Sequence, residues 1–246
     1  MNTEELTAAI ADEFQRLLQA PSFSAMRRRA AKDVTFAASQ EYADAIGETL
    51  AKACRKYITD EIASEKMTKE LAHNIISDNL ARGNDLVRAV CGDAQKQMYT
   101  DMGTQLNPIV PDFDTDRADG LVKVASDAEA FANVQDEIYE NLSTFLMHTV
   151  DETVRRNADF LRNAGAEVAV IRSPDAGACK WCRSIASGSP WRGNDIPPEA
   201  YMRHRRCKCR VYYKAAFSKT LDIQTQYGWF EESNTTIEGR KLHGLE

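Results

Sequence analysis

The sequence predicts a mainly α protein in which a body of long helices is followed by a small α+β C-terminal module. Three observations predict it. Apolar residues recur every three to four positions from the N-terminus to about Ala164. The pattern breaks at Gly165 into short β-rich runs. Four of the six cysteines then fall within the 31 residues from Cys179 to Cys209. The boundaries that follow are 1–164 for the body, 165–216 for the module and 217–246 for a polar tail.

Within the body, Leu6, Ile10, Phe14 and Leu17 keep to one helix face, with Pro21 just past its end. Arg27, Arg28 and Arg29 read as a solvated face. A second apolar face runs through Tyr42, Ile46, Leu50, Ala53, Tyr57 and Ile62, and a third through Leu71, Ile75, Leu86, Val90, Ala94, Met98 and Met102. The third contains Gly83 and Gly92. Each costs about 1 kcal/mol relative to Ala inside a helix, so a kink or a split is expected there. The stretch 103–122 holds two prolines and little periodicity, as a connection crossing the bundle would.

The clearest helix is expected over about 126–164. Ser126 and Glu129 have capping-box spacing, and Phe131, Val134, Ile138, Leu142, Phe145, Val150, Val154 and Phe160 follow on one face to Gly165, a C-terminal cap. At 1.5 Å per residue this element would be roughly 55–60 Å long. Such a rod either kinks near Asn141 to Thr144 or projects the module away from the body.

Past Gly165, Val168, Val170 and Ile171 form one β-rich run and Arg210 to Tyr213 another. Between them lie Cys179-Lys-Trp-Cys182 and His204-Arg-Arg-Cys207-Lys-Cys209. A Cys-x-x-Cys turn presents two thiolates to one tetrahedral ion, and a second pair from a distant segment closes the site. Cys179 and Cys182 are one pair; the other two ligands come from His204, Cys207 and Cys209. The loop between the halves is rich in Pro, Ser and Gly and has no core of its own, so a metal is needed to hold it. The fold class thus becomes a long-helix body with a zinc-stapled α+β module, and Zn2+ is structural. Cys54 and Cys91 read as small buried hydrophobes.

Charge and motifs narrow the function. The chain of 246 residues carries a net charge of −6, which argues against general affinity for nucleic acid. That average hides an asymmetry: from Arg172 to Lys214 there are ten Lys or Arg and three acids, leaving about +7 in this window and about −13 elsewhere. The acidic N-terminus lacks the character of a secretory signal, and no apolar run reaches the roughly 18 residues of a membrane span, so a cytosolic, membrane-free protein is expected. There is no Gly-rich phosphate loop, no Gly-x-Ser-x-Gly and no His-Glu-x-x-His. A catalytic zinc keeps an open position beside a general base, and deaminases place His-x-Glu before the Cys-x-x-Cys. No such triplet precedes Cys179, and Glu199 is the only acid weighed as a base. A closed, non-enzymatic site is expected. His73 and His148 read as ordinary helix residues.

The segment from Val170 through Cys179-Lys-Trp-Cys182, with Ala186 and Gly188, to Tyr201-Met-Arg-His-Arg-Arg-Cys-Lys-Cys-Arg-Val-Tyr213 resembles the C-terminal signature of phage minor head proteins. That group includes the F-like head morphogenesis proteins of phage Mu. Its Cys-x-x-Cys precedes His-x-x-Cys-Arg-Cys, usually with Pro and Asn after the His. Here Arg205 and Arg206 stand in those places and Lys208 replaces the Arg. The resemblance covers about 45 residues and implies a minor capsid protein of a virion head, made in the host cytoplasm. Such a protein meets the portal and other head proteins and acts in head morphogenesis or in DNA packaging and ejection. The basic face formed by Arg203, Arg205, Arg206, Lys208 and Arg210 could meet DNA or an acidic portal surface. The alternative readings are a nucleic-acid-binding zinc protein and, behind it, a zinc-dependent enzyme.

Overall fold

Asn2 opens the first helix with a reciprocal capping box: its Oδ1 accepts from the Glu5 N–H at 2.8 Å, and Glu5 Oε2 accepts from the Asn2 N–H at 3.0 Å. The computed structural model describes residues 2–216. From that cap run α1 (Thr3–Leu18), α2 (Pro21–Lys32), α3 (Phe36–Tyr57), the single turns α4 (Asp60–Ala63) and α5 (Lys69–Ala72), and α6 (Asp78–Asp101). They are followed by α7 (Thr115–Asp127), α8 (Gln135–Asn163), β1 (Glu167–Ser173), α9 (Lys180–Ala186), β2 (Trp191–Arg192) and β3 (Arg210–Ala216). The architecture is mainly α with a small α+β part at its C-terminal side. The stretch 217–246, read above as a tail, lies outside the described residues. Among the described residues no helix is long and apolar enough to cross a membrane.

The periodic faces pack as their spacing requires. Ile10, Phe14, Ile46, Leu50, Leu80, Val87, Leu142 and Val150 are all fully buried in one core, and α3 and α8 form its central pair. They cross so closely that a Cβ at Gly47 would stand 2.3 Å from Ser143 Cα, and Ser143 Oγ donates to the Asp44 carbonyl at 3.1 Å.

Three boundaries differ from the sequence reading. The third helix is interrupted at a π-helical turn, His73–Ser77, and continues unbroken through Gly83 and Gly92. A Cβ at Gly83 would come within 2.9 Å of Ile46 Cγ2, so the small residue serves packing against α3. The connection expected over 103–122 ends early, because Asp114 Oδ1 accepts from the Arg117 N–H at 3.0 Å and caps α7. Asn157 pins what remains of that connection, accepting from the Ile109 N–H at 3.0 Å and donating to its carbonyl at 2.7 Å.

The helix expected over 126–164 begins at Gln135. Ser126 caps nothing: it lies in α7 and its Oγ donates to the Lys123 carbonyl. Phe131 sits in a 3-10 turn, where its N–H reaches the Glu65 carbonyl at 3.0 Å and its ring meets Tyr139 at 6.0 Å. The 29 residues of α8 form one continuous helix of about 43 Å. It is uninterrupted at Asn141 to Thr144, and the module packs back against it rather than being carried outward. Gly165, at φ 86°, ends it with its N–H on the Arg162 carbonyl while the Ala166 N–H reaches Leu161, a Schellman cap.

The chain then folds back onto α8. β1 is central in an antiparallel sheet of order β2-β1-β3, with Val170 opposite both Trp191 and Tyr213. Val168, Val170, Val211 and Tyr213 belong to the same apolar core as the helices. Polar locks complete the seam. The Gln40 amide pairs with both backbone groups of Val211, at 3.2 and 2.9 Å, and donates to Asp151 Oδ1 at 3.0 Å. The Gln95 amide meets the Tyr213 hydroxyl at 2.6 Å.

Candidate metal centre

Each half of the cysteine motif is built by a local turn. Cys179 is the N-cap of α9, with extended backbone, and its Sγ accepts from the Cys182 N–H at 3.4 Å. That turn aims both sulfurs the same way. In the other half the Cys207 N–H closes a four-residue turn on the His204 carbonyl at 3.1 Å. Its third residue, Arg206, has φ 62°, a left-handed position that Gly or Asn adopts at lower cost. Cys207 and Cys209 follow on one face just before β3.

The fold brings all five expected donors together. His204 Nε2 lies 3.2 Å from Cys179 Sγ and 3.0 Å from Cys182 Sγ, and Cys182 Sγ lies 3.6 Å from Cys207 Sγ. Two triangles result, Cys179–Cys182–His204 and Cys182–Cys207–Cys209, each with its donors within 4.8 Å of one another and Cys182 common to both. All these cysteines are unbridged. Thiolate bonds of about 2.3 Å and imidazole bonds of about 2.0–2.1 Å give tetrahedral edges of roughly 3.5–3.8 Å; the Cys182–Cys207 spacing lies in that range and the two imidazole spacings are shorter, so His204 would move outward slightly on binding an ion. The cluster can hold a metal ion.

The surroundings favour coordination. His204 Nδ1 lies 2.6 Å from the Arg205 carbonyl; donating its proton there leaves the Nε2 lone pair facing the sulfurs. The Cys182 N–H, with His204 near it, holds the Cys179 thiol below its usual range. A hydrogen bond from Cys209 brings the Cys207 thiol down to about 4 against its burial, with Arg203 and Arg172 adding to the effect. The same contact with Cys207, and burial, push Cys209 up; burial pushes Cys182 up. Cys182, Cys207 and Cys209 are buried while Cys179 is exposed, so the site has a solvent edge and a closed floor. No carboxylate belongs to the cluster among the described residues. Cys54 and Cys91 lie in the body core, where burial raises their thiols to about 12. His148, whose pKa burial lowers, and His73 belong to neither triangle.

Each basic residue of the face from Arg203 to Arg210 has an acidic partner on the helices. Arg203 is buried against Asp151, with Nη2 2.8 Å from Oδ1. Arg205 and Arg206 pair with Glu140, Lys208 with Asp44 and Glu48, and Arg210 with Glu41. The excess positive charge of the module therefore faces the excess negative charge of α3 and α8. Burial pushes the Asp151 carboxyl up and the Arg203 guanidinium opposes that shift.

Arg172, Asp151 and Gln40 were not singled out by the sequence reading. A signal existed for two of them. Arg172 continues the buried alternation of Val168 and Val170, and Asp151 lies one helical turn from Met147 on the buried face of α8. A charge on an apolar face is a buried charge seeking a partner.

Fold and site together define a mainly α protein with a small antiparallel sheet, beside which a Cys/His cluster can hold a metal ion. Comparison of the chain with protein-family models, curated proteins and solved structures gives no match.

Proposed function

We propose that this chain is a non-enzymatic minor head protein of a tailed phage or prophage, associated with the portal, and that its Cys/His cluster binds a structural zinc ion. The observation that carries the metal reading is the donor set: four thiols and one imidazole, three of the thiols buried, with no carboxylate beside them. Soft donors in excess of four positions suit zinc in a closed site, without the open position a catalytic ion needs. When bound, zinc supplies the cross-link between the turn at Cys179 and the turn at His204. The protein's own residues do the rest: Cys179 caps α9, the Arg205 carbonyl orients the imidazole, and Gln40 and Asp151 seat β3 and Arg203 on the helices.

The phage reading rests on the spacing Cys-x-x-Cys followed by His-x-x-Cys-x-Cys, and a closed metal site docked rigidly on long helices suits an assembly protein. The alternative of a nucleic-acid-binding protein loses Arg203, which is buried against Asp151, and keeps Arg205, Arg206, Lys208 and Arg210 as exposed cations paired with Glu140, Asp44, Glu48 and Glu41. The test is mass spectrometry of particles released from the strain that carries the gene. Peptides of this chain at low copy in DNA-filled heads, lost from particles when the gene is deleted, are expected; particles that contain none of it contradict the reading.

A further inference from the structure

Arg172 is 2% exposed, yet it has no carboxylate within ion-pair distance among the described residues; Asp151, the buried acid nearest in role, is occupied by Arg203. Its Nη1 donates to the carbonyls of Ala200 at 3.0 Å and Met202 at 2.7 Å. Its Nη2 faces two sulfurs, Cys207 Sγ at 3.4 Å and Cys182 Sγ at 3.6 Å, and the Trp181 ring lies 5.5 Å from Cζ. Carbonyls and an aromatic face supply only partial negative charge. A buried guanidinium is tolerated when a full counter-charge stands beside it, and among the described residues the ionisable groups within hydrogen-bond reach of Arg172 are the two sulfurs.

Any four of the five donors include at least three cysteines, so a divalent ion held by them makes a centre of −1 with three thiolates and one imidazole, or of −2 with four thiolates. Either centre compensates Arg172. Resting on the zinc reading above, we infer that Arg172 is a positioning residue of the metal centre: it bridges Cys182 and Cys207, makes both obligate ligands, and balances the charge of the thiolate-rich set. With Cys179 paired to Cys182 by the turn of α9, His204 and Cys209 compete for the fourth position. The same side chain ties the centre to β1 and, through Ala200 and Met202, to the loop before His204, so the charge that stabilises the ligands also holds the two halves in register.

The test uses the full chain, purified under reducing conditions and loaded with zinc or with cobalt as a spectroscopic probe. The wild-type cobalt spectrum is expected to show charge-transfer intensity of three or four thiolates, reduced by one thiolate in Cys207→Ser. Arg172→Met is expected to weaken zinc binding tenfold or more in competition with a chromophoric chelator, and Arg172→Lys to recover part of the loss. A two-thiolate spectrum, or a Cys207→Ser variant with an unchanged one, overturns the inference even if Arg172→Met fails to fold. So does undiminished zinc affinity in folded Arg172→Met. A wild-type chain that binds neither metal overturns the zinc reading itself, which separates that failure from failure of the role given to Arg172.

Discussion

The helical body and the C-terminal module lie against one another but are held by different forces. In the body, Ile10, Phe14, Ile46, Leu50, Leu80 and Leu142 are fully buried on mutually packed helices, and each side chain withdrawn from water contributes on the order of 1.5–3 kcal/mol. In the module, Ala166, Val168, Val170, Ala200, Tyr201, Val211 and Tyr213 join that same core, and among the described residues a second, small cluster holds Ala178, Cys182, Cys207 and Cys209. One face of the module thus depends on the body and, on the zinc reading proposed above, the other on coordination. A segment too short to build a core of its own would then be kept ordered from two sides, by its seam with the helices and by a metal.

The seam gives the largest expected effect. Arg203→Met leaves Asp151 buried without its partner and should cost about 3–5 kcal/mol in denaturant unfolding. The double variant Arg203→Met/Asp151→Leu should recover most of the loss; a double variant as unstable as the single one would show that the seam is held by packing alone. Next comes the closest point of the body. Gly47→Ala drives a methyl into the Ser143 backbone and should destabilise by about 1–3 kcal/mol while leaving metal content unchanged.

Acid should sharpen the contrast further. Arg16, with Lys56, holds the Glu13 carboxyl down at about 2, and Arg155 and Arg156 hold Glu152 at about 2 against its burial. Both folded values lie below the ordinary value of about 4.3. Their stabilising contribution is therefore complete above about pH 4.3 and is lost as pH falls toward 2. Thermal melts over that window should show a shallower loss for Glu13→Gln and Glu152→Gln than for the wild type. An unchanged slope would remove these pairs from the account. The smallest effect is expected in the turn of the module. Arg206→Gly relieves the left-handed conformation, a strain of about 1 kcal/mol, and gives up an exposed ion pair with Glu140 that contributes less. A gain of up to about 1 kcal/mol in a chemical denaturation curve is expected, and a loss would mean that the Glu140 pair outweighs the turn.

These outcomes track what was legible in the sequence. Helix faces such as Leu6, Ile10 and Phe14 were readable because burial imposes a period on the chain itself. The five candidate donors were readable because coordination demands particular residue types at short spacing. The α7–α8 junction was hidden, since Phe131 and Val134 continue the apolar period through a turn that contains neither Gly nor Pro. The direction of the basic residues was hidden for another reason: Lys208 meets Asp44 across 164 positions and Arg206 meets Glu140 across 66. Their charge was visible, but its partner is supplied only by the fold. Gln40 likewise looks like any polar residue until β3 is laid beside it.

The most direct test of the account is elemental analysis of the chain purified under reducing conditions, before and after chelation, with circular dichroism recorded on the same samples. About one zinc per chain is expected, with its removal melting the module while the helical signal survives, as a metal staple on a separately cored body requires. Protein that contains no zinc, or whose module signal is unchanged when zinc is stripped, would contradict it.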